Sequence, residues 1–245
     1  MRKFKVVSIV LVYFFALAFT ACDNGVTIGH VDGTGAGGGG GAAGNPPAVH
    51  GTPILVINRP LYLATWDANS NLVLSRHMGT HTVSGSDGMG GSGSISGGYL
   101  NFTIGTPTGL SPIGEVSLFS HLERNYGGIT FSRHGVQGRT LSLSTHGGGL
   151  SGPSYSSFII SGNSFREEYV SRTYIFVSDD VVVTSPRIIP EWTGVYEAFT
   201  LNLRAGWNSF HYRDVVLETP TTPWHSTITI STADPGRPLR WLLWH

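Results

Sequence analysis

The chain has 245 residues, 15 basic and 15 acidic, for a formal net charge of zero, and a single cysteine. That balance excludes the strongly basic surface by which nucleic-acid-binding domains hold phosphate. One cysteine excludes an internal disulfide and any multi-thiolate zinc site, so the fold must hold by burial and hydrogen bonding alone.

The first 22 residues have the order of an export signal. Arg2, Lys3 and Lys5 are followed by an apolar run from Val6 to Phe19, then by small residues ahead of Cys22. A positive start stays on the cytoplasmic side while the apolar run enters the translocon. The run is shorter than the roughly 20 apolar residues that cross a bilayer, which predicts removal rather than retention. Leu17-Ala18-Phe19-Thr20-Ala21-Cys22 resembles the bacterial lipobox, with Phe19 where Leu is usual, as in the looser lipoboxes of spirochaetes and some Bacteroidetes. The resemblance implies a signal peptide over 1–21, a lipid on Cys22 and attachment to a membrane of the cell envelope, on its periplasmic face or outer surface. The alternative is a plain secretory signal cut near Ala21 that leaves Cys22 free. Removing the signal takes Arg2 and both lysines with it, leaving 12 arginines against 15 acidic residues.

Residues 22–50 read as a tether. Gly37 to Gly41 are consecutive glycines, followed by Ala42-Ala43-Gly44-Asn45-Pro46-Pro47. Such a segment has almost no apolar surface to offset its ordering entropy, which predicts a disordered spacer with a mean reach of about 30 Å.

The body, 51–245, reads as β throughout. Ile54–Ile57, Leu61–Trp66 and Leu72–Leu74 are short β-prone runs, separated by Asn58-Arg59-Pro60 and by 67–71, which carry turn chemistry. Gly85 to Gly98, dominated by glycine and serine, reads as a loop, and Leu100, Phe102 and Ile104 alternate onto one face of a strand. Residues 105–113 are the candidate internal boundary. Val116, Leu118, Phe119 and Leu122 then predict one short helix over Glu115–Arg124. From Ile129 the β rhythm returns, with Phe165–Tyr169, Tyr174–Val177 and Val181–Thr184 as strands. Phe199-Thr200-Leu201-Asn202-Leu203 alternates, Gly206 suits a turn, and Trp207–Tyr212 is predicted to return as a hairpin partner. Thr227–Ser231 and Trp241–Trp244 complete the pattern. Many short strands and little helix predict a mainly β body, a β-sandwich or barrel-like fold, with two packed β subdomains as a variant.

Tyr174 to Val183, with the Asp179-Asp180 turn, followed by Leu201-Asn202-Leu203-Arg204-Ala205-Gly206-Trp207-Asn208, resembles the closing pattern of uncharacterised lipoproteins of treponemes and some Bacteroidetes. There a Tyr-rich strand with an acidic turn precedes a Leu-x-Leu-x-x-Gly-Trp-Asn hairpin. The resemblance covers about 40 residues and the lipoprotein start. It implies an envelope-attached β-rich lipoprotein and carries over no catalytic residue.

Catalytic and metal constellations are sparse. His77 and His81 have a helical zinc spacing, but on a strand positions i and i+4 stand about 13 Å apart. No Gly-x-Ser-x-Gly elbow or phosphate-cradling strand-to-helix turn is present. Adjacent acids at Glu167-Glu168 face opposite sides of a strand, so a glycosidase pair would need a distant partner. No catalytic residue, metal site or cofactor is assigned. Among the aromatics, Trp192 and Trp224, beside Pro190 and Pro223, are the candidate ligand-stacking residues. The sequence therefore predicts a lipid-anchored envelope protein with a non-enzymatic binding or structural role and a protein or glycan partner. The alternative is a carbohydrate-binding module or a glycan-directed hydrolase. A transmembrane barrel is opposed by the short strands and the tether.

Overall fold

The computed structural model describes residues 49–66, 72–145, 149–161, 164–189, 194–219 and 225–244. The signal, Cys22, the tether up to residue 48, the 67–71 turn, Trp192 and Trp224 lie outside the described residues. Among the described residues no helix is long and apolar enough to cross a membrane.

The body is mainly β. Its strands in chain order are β1 (Leu55–Trp66), β2 (Leu72–Arg76), β3 (His81–Gly85), β4 (Ser92–Ser96), β5 (Tyr99–Ile104) and β6 (Ser111–Pro112). After helix α1 (Ser117–Tyr126) come β7 (Thr130–Phe131), β8 (Gln137–Thr140), β9 (Leu143–Thr145), β10 (Gly149–Ser161) and β11 (Ser164–Val177). The last six are β12 (Val181–Ser185), β13 (Val195–Tyr196), β14 (Phe199–Leu203), β15 (Gly206–Glu218), β16 (His225–Ser231) and β17 (Arg240–Trp244).

One large sheet runs β13-β16-β15-β11-β10-β17-β1-β5-β4-β3-β9. It also closes on itself. β9 pairs β3, while β8, just before it in the chain, pairs β11, and the Leu141 amide donates to the Tyr174 carbonyl. The enclosed space is filled by one apolar cluster drawn from strands all around the ring, including Leu55, Ile57, Val83, Ile95, Phe102, Tyr174, Trp207 and Trp241. A second cluster fills the other side of β11 and β15. Here α1 and a three-stranded sheet, β14-β12-β7, pack on the outside of the ring. Alternation along β11 feeds both: Tyr174 and Phe176 point into the ring, Ile175 and Val177 into the second cluster. The chain crosses from one cluster to the other between Leu110 and Ile113.

The helix forms because a Ile113–Glu115 3₁₀ turn leads into it and because Leu118, Phe119 and Leu122 share its buried face. It lies two residues later than the sequence pattern places it and stops at Gly127, whose φ of 70° ends the αR run. Phe119 packs on Phe131 at 6.0 Å and on Phe210 at 6.4 Å, and its full burial contributes roughly 1.5–3 kcal/mol.

Besides Phe165–Tyr169 and Tyr174–Val177, which run on as the single 14-residue strand β11, three sequence expectations change. Asn58-Arg59-Pro60 is no turn but the middle of β1, at the point where that strand changes partner. Leu55–Pro60 pair with β5, and from Leu61 onward the strand lies beside β17 and β2. The Leu61 amide donates toward β5, at Gly98, so the donor that Pro60 lacks would face the other edge, where β17 has not yet joined. Gly85 to Gly98 is not one loop. It holds β4, whose Ile95 is fully buried and whose Gly93 lets the Asn101-Phe102 backbone approach closer than any Cβ allows.

The third change concerns the expected hairpin. β14 pairs β12, not β15, so the chain passes at Gly206 from the three-stranded sheet to the large one. The corner is held by side chains. Asn208 accepts from the Arg204 amide at 2.9 Å and donates to the Arg204 and Gly206 carbonyls. Asp180 accepts from the Ala205 amide at 2.8 Å and from the Arg204 guanidinium at 2.7 Å. Trp207 is wholly buried, and its indole N–H donates to the Gly105 carbonyl at 2.8 Å. At Gly206, φ is 104° and a Cβ would strike the Thr52 carbonyl, so only glycine fits. The acidic turn and the Gly-Trp-Asn motif thus meet as one structural corner.

Candidate functional site

The long strands β11 and β15 extend past both apolar clusters, and the alternation that separates the clusters separates the polar residues too. Glu168 and Glu167 point to opposite faces.

On the ring side, Glu168 is buried and bound by two arginines. Arg213 Nη2 lies 2.7 Å from its Oε1, and Arg237 Nη2 lies 2.7 Å from its Oε2. Burial alone would raise this carboxyl, but the hydrogen bonds from Arg237 and Arg213 outweigh it and hold the pKa below the ordinary value. Arg237 also stands 5.5 Å from the centre of the Tyr155 ring. Deeper in, the buried Arg172 donates through Nε to His211 Nε2 at 2.9 Å. Burial, and then the Arg172 charge, push His211 down to about 4, so at neutral pH it is an uncharged acceptor.

On the opposite face the neighbours are acids and tyrosines. Tyr169 of β11 is paired with Asp214 of β15, Asp214 with Ile228 of β16, and Ile228 with Tyr196 of β13. These four positions form one row across the sheet, at about 4.7–4.9 Å per strand. Tyr212 lies in the row beside it, with its ring 6.5 Å from that of Tyr169. Tyr126, from the end of α1, places its ring 5.0 Å from that of Tyr196. On the other side of the row, Glu167 and Ser226 flank Val216 on neighbouring strands. Ser226 donates its hydroxyl to Asp214 Oδ1 at 2.6 Å.

No arginine reaches these carboxyls among the contacts that shift them. Burial pushes Glu167 up, and the Asp214 charge adds to it. Burial pushes Asp214 up, and the Ser226 hydrogen bond offsets part of that. Tyr212 is pushed well above the ordinary phenol value by burial and then by Asp214; Tyr196 is also raised, by burial and by Tyr126. The patch therefore sets the protonated phenols of Tyr196 and Tyr212, both packed against the second apolar cluster, beside two carboxyls that take up protons more readily than usual. Glu167 and Asp214 are diagonal neighbours, a relation with Cβ atoms about 7–8 Å apart.

The three-stranded sheet bears a shallow cleft of about 440 Å³. Gly128, Thr130, Thr184, Ser185, Pro186, Ala198, Phe199 and Thr200 line it, mostly with hydroxyl and small apolar groups.

Of the residues singled out from sequence, Cys22, Trp192 and Trp224 lie outside the described residues. Glu167 does find a distant acid, Asp214, while Glu168 is committed to its arginines. His77 and His81 do not stand a strand's length apart. The segment between them is not a strand, and their ring centres lie 5.1 Å from each other. Among the described residues no group of three or more His, Cys, Asp or Glu is placed to hold a metal ion. Sequence reading missed Tyr169, Tyr212 and Asp214. Their signal was the alternation Glu167-x-Tyr169 and Tyr212-x-Asp214, which sets polar aromatics and acids on one face only if both segments are strands. The chain matches no family model, and neither a curated protein nor a solved structure is similar to it.

Proposed function

We propose that the chain is a lipid-anchored protein of a bacterial cell envelope, held by a lipid on Cys22, and that its body has a non-enzymatic binding role. What supports the anchor is the order of charge, apolar run and small residues before the only cysteine. What supports binding is the tyrosine and carboxyl patch, the one observation that carries the reading. Phenol rings stack on a ligand while their hydroxyls and adjacent carboxyls orient it. Trp192 and Trp224 belong to this proposal as stacking residues. Each precedes by three residues a member of the Val195–Thr227 pair that joins β13 to β16, the strands carrying Tyr196 and Ser226.

A specific observation favours a glycan as the ligand. Stacking rings with flanking hydroxyl and carboxyl groups match the alternating apolar faces and hydroxyl edges of a sugar. In the hydrolase version, Glu167 and Asp214 are the acid pair.

Two experiments test this reading. Intact mass and detergent partitioning of the natively expressed chain should show an acyl mass that Cys22→Ala lacks; a soluble, unacylated wild type defeats the anchor. Binding to envelope glycan fragments should weaken at least tenfold in Asp214→Asn and in Trp224→Ala. Unchanged binding in both removes the patch from the function, and release of reducing ends lost in Glu167→Gln converts binding into hydrolysis.

A further inference from the structure

The loop between β2 and β3 carries His77-Met78-Gly79-Thr80-His81. His77 is buried, with 9 % of its surface exposed, while His81, at the start of β3, is half-buried. Their rings lie 5.1 Å apart and are tilted by only 31°. Both Nε2 atoms address the bare side of Gly79: a Cβ there would stand 2.7 Å from His77 Nε2 and 3.1 Å from His81 Nε2. Gly79 is not among the glycines with positive φ, so backbone conformation does not require it. What glycine supplies at this position is space, and two imidazole nitrogens border that space.

We propose that this loop is a copper(I) site, with His77 and His81 as nitrogen ligands through Nε2 and the Met78 thioether as a third donor. Met78 is 66 % exposed, on a flexible unbranched side chain next in sequence to His77. The ligand chemistry selects the ion. A zinc site takes four ligands, and a hard divalent cation takes oxygen donors. Neutral imidazoles with a thioether suit a soft monovalent ion that is content with two or three donors. No group of three or more His, Cys, Asp or Glu is available among the described residues, so zinc lacks a ligand set here while copper(I) does not.

The test is Cu(I) titration of the full chain against a chromophoric Cu(I) chelator such as bicinchoninate, under reducing, oxygen-free conditions. A Cys22→Ser background removes the one thiolate that would itself take copper. The expected result is one Cu(I) per chain. His81→Ala should weaken it by at least the roughly 10- to 100-fold that losing even an outer-shell partner costs a metal site. Gly79→Ala, whose Cβ would collide with both Nε2 atoms, should weaken it likewise. Met78→Leu should weaken Cu(I) binding. X-ray absorption of the loaded wild type should show imidazole and sulfur scattering around copper. Affinity unchanged in His81→Ala and Gly79→Ala, or a copper shell without imidazole, overturns the site. Should His81→Ala fail to fold, Gly79→Ala and the exposed Met78→Leu decide alone: unchanged affinity in both overturns it.

Discussion

The two faces of the β11–β15 ribbon are made by the same strands, in one register, yet they solve the burial of acids in opposite ways. On the ring side Glu168 is held charged by Arg213 and Arg237, and the nearby His211 is held neutral against Arg172. On the other side Glu167 and Asp214 have each other, hydroxyls and phenol rings, and burial raises their pKa values. In the first arrangement both carboxylate oxygens of Glu168 are engaged by arginines of the protein itself. In the second no guanidinium is among the groups that shift Glu167 and Asp214, and only the Ser226 hydroxyl offsets the effect of burial, at Asp214. A buried charge that is fully paired contributes rigidity, whereas one left half-satisfied costs stability and marks a surface kept for something else.

The contrast can be broken most strongly through His211. Its folded pKa, about 4, lies below its unfolded value of about 6.5, so its contribution to stability is complete above 6.5 and is lost as pH falls toward 4. The unfolding free energy should drop by about 3 kcal/mol over that window. His211→Gln, which can still accept from Arg172, should flatten the profile; urea unfolding between pH 7 and 4 reads the difference.

Glu168→Gln comes next. It leaves two arginines facing a neutral amide and should cost about 2 kcal/mol at pH 7, because both guanidinium groups are partly exposed and water takes over some of the loss. In the wild type the lowered Glu168 pKa means that stability is present above about 4.5 and lost as pH falls through the folded value. The variant should lack that acid sensitivity in guanidinium unfolding.

The smallest effect has the opposite sign. For Glu167 and Asp214 the folded pKa is raised, so their stabilising contribution is complete below the unfolded value and is lost as pH rises through the folded one. Asp214→Asn with Glu167→Gln should therefore leave stability at pH 7 unchanged or raised by up to about 1 kcal/mol, seen as a thermal midpoint no lower than that of the wild type. A clear loss would mean that these acids are structural, and the two faces would then be alike.

By itself the sequence determined the mainly β class, the buried face of α1 and the alternation of Leu100, Phe102 and Ile104, because side-chain period and turn chemistry are local properties. It also showed that Glu167 and Glu168 must face apart. It did not show which strand meets which. Pro60 reads as a turn residue until β17 is seen to begin just past it. The alternation of Phe199 to Leu203 followed by Gly206 reads as a hairpin until Asp180 and Asn208 are seen holding a corner between two sheets. Strand pairing between distant segments depends on which apolar faces fill a common core, and no local pattern encodes that. The same holds for the patch and the histidine loop. Tyr169 and Asp214 became neighbours only through the β11–β15 register, and His77 and His81 only through the irregular segment that joins β2 to β3. Tertiary structure alone decides such neighbours, because a cross-strand contact depends on register and a loop contact on where the flanking strands end.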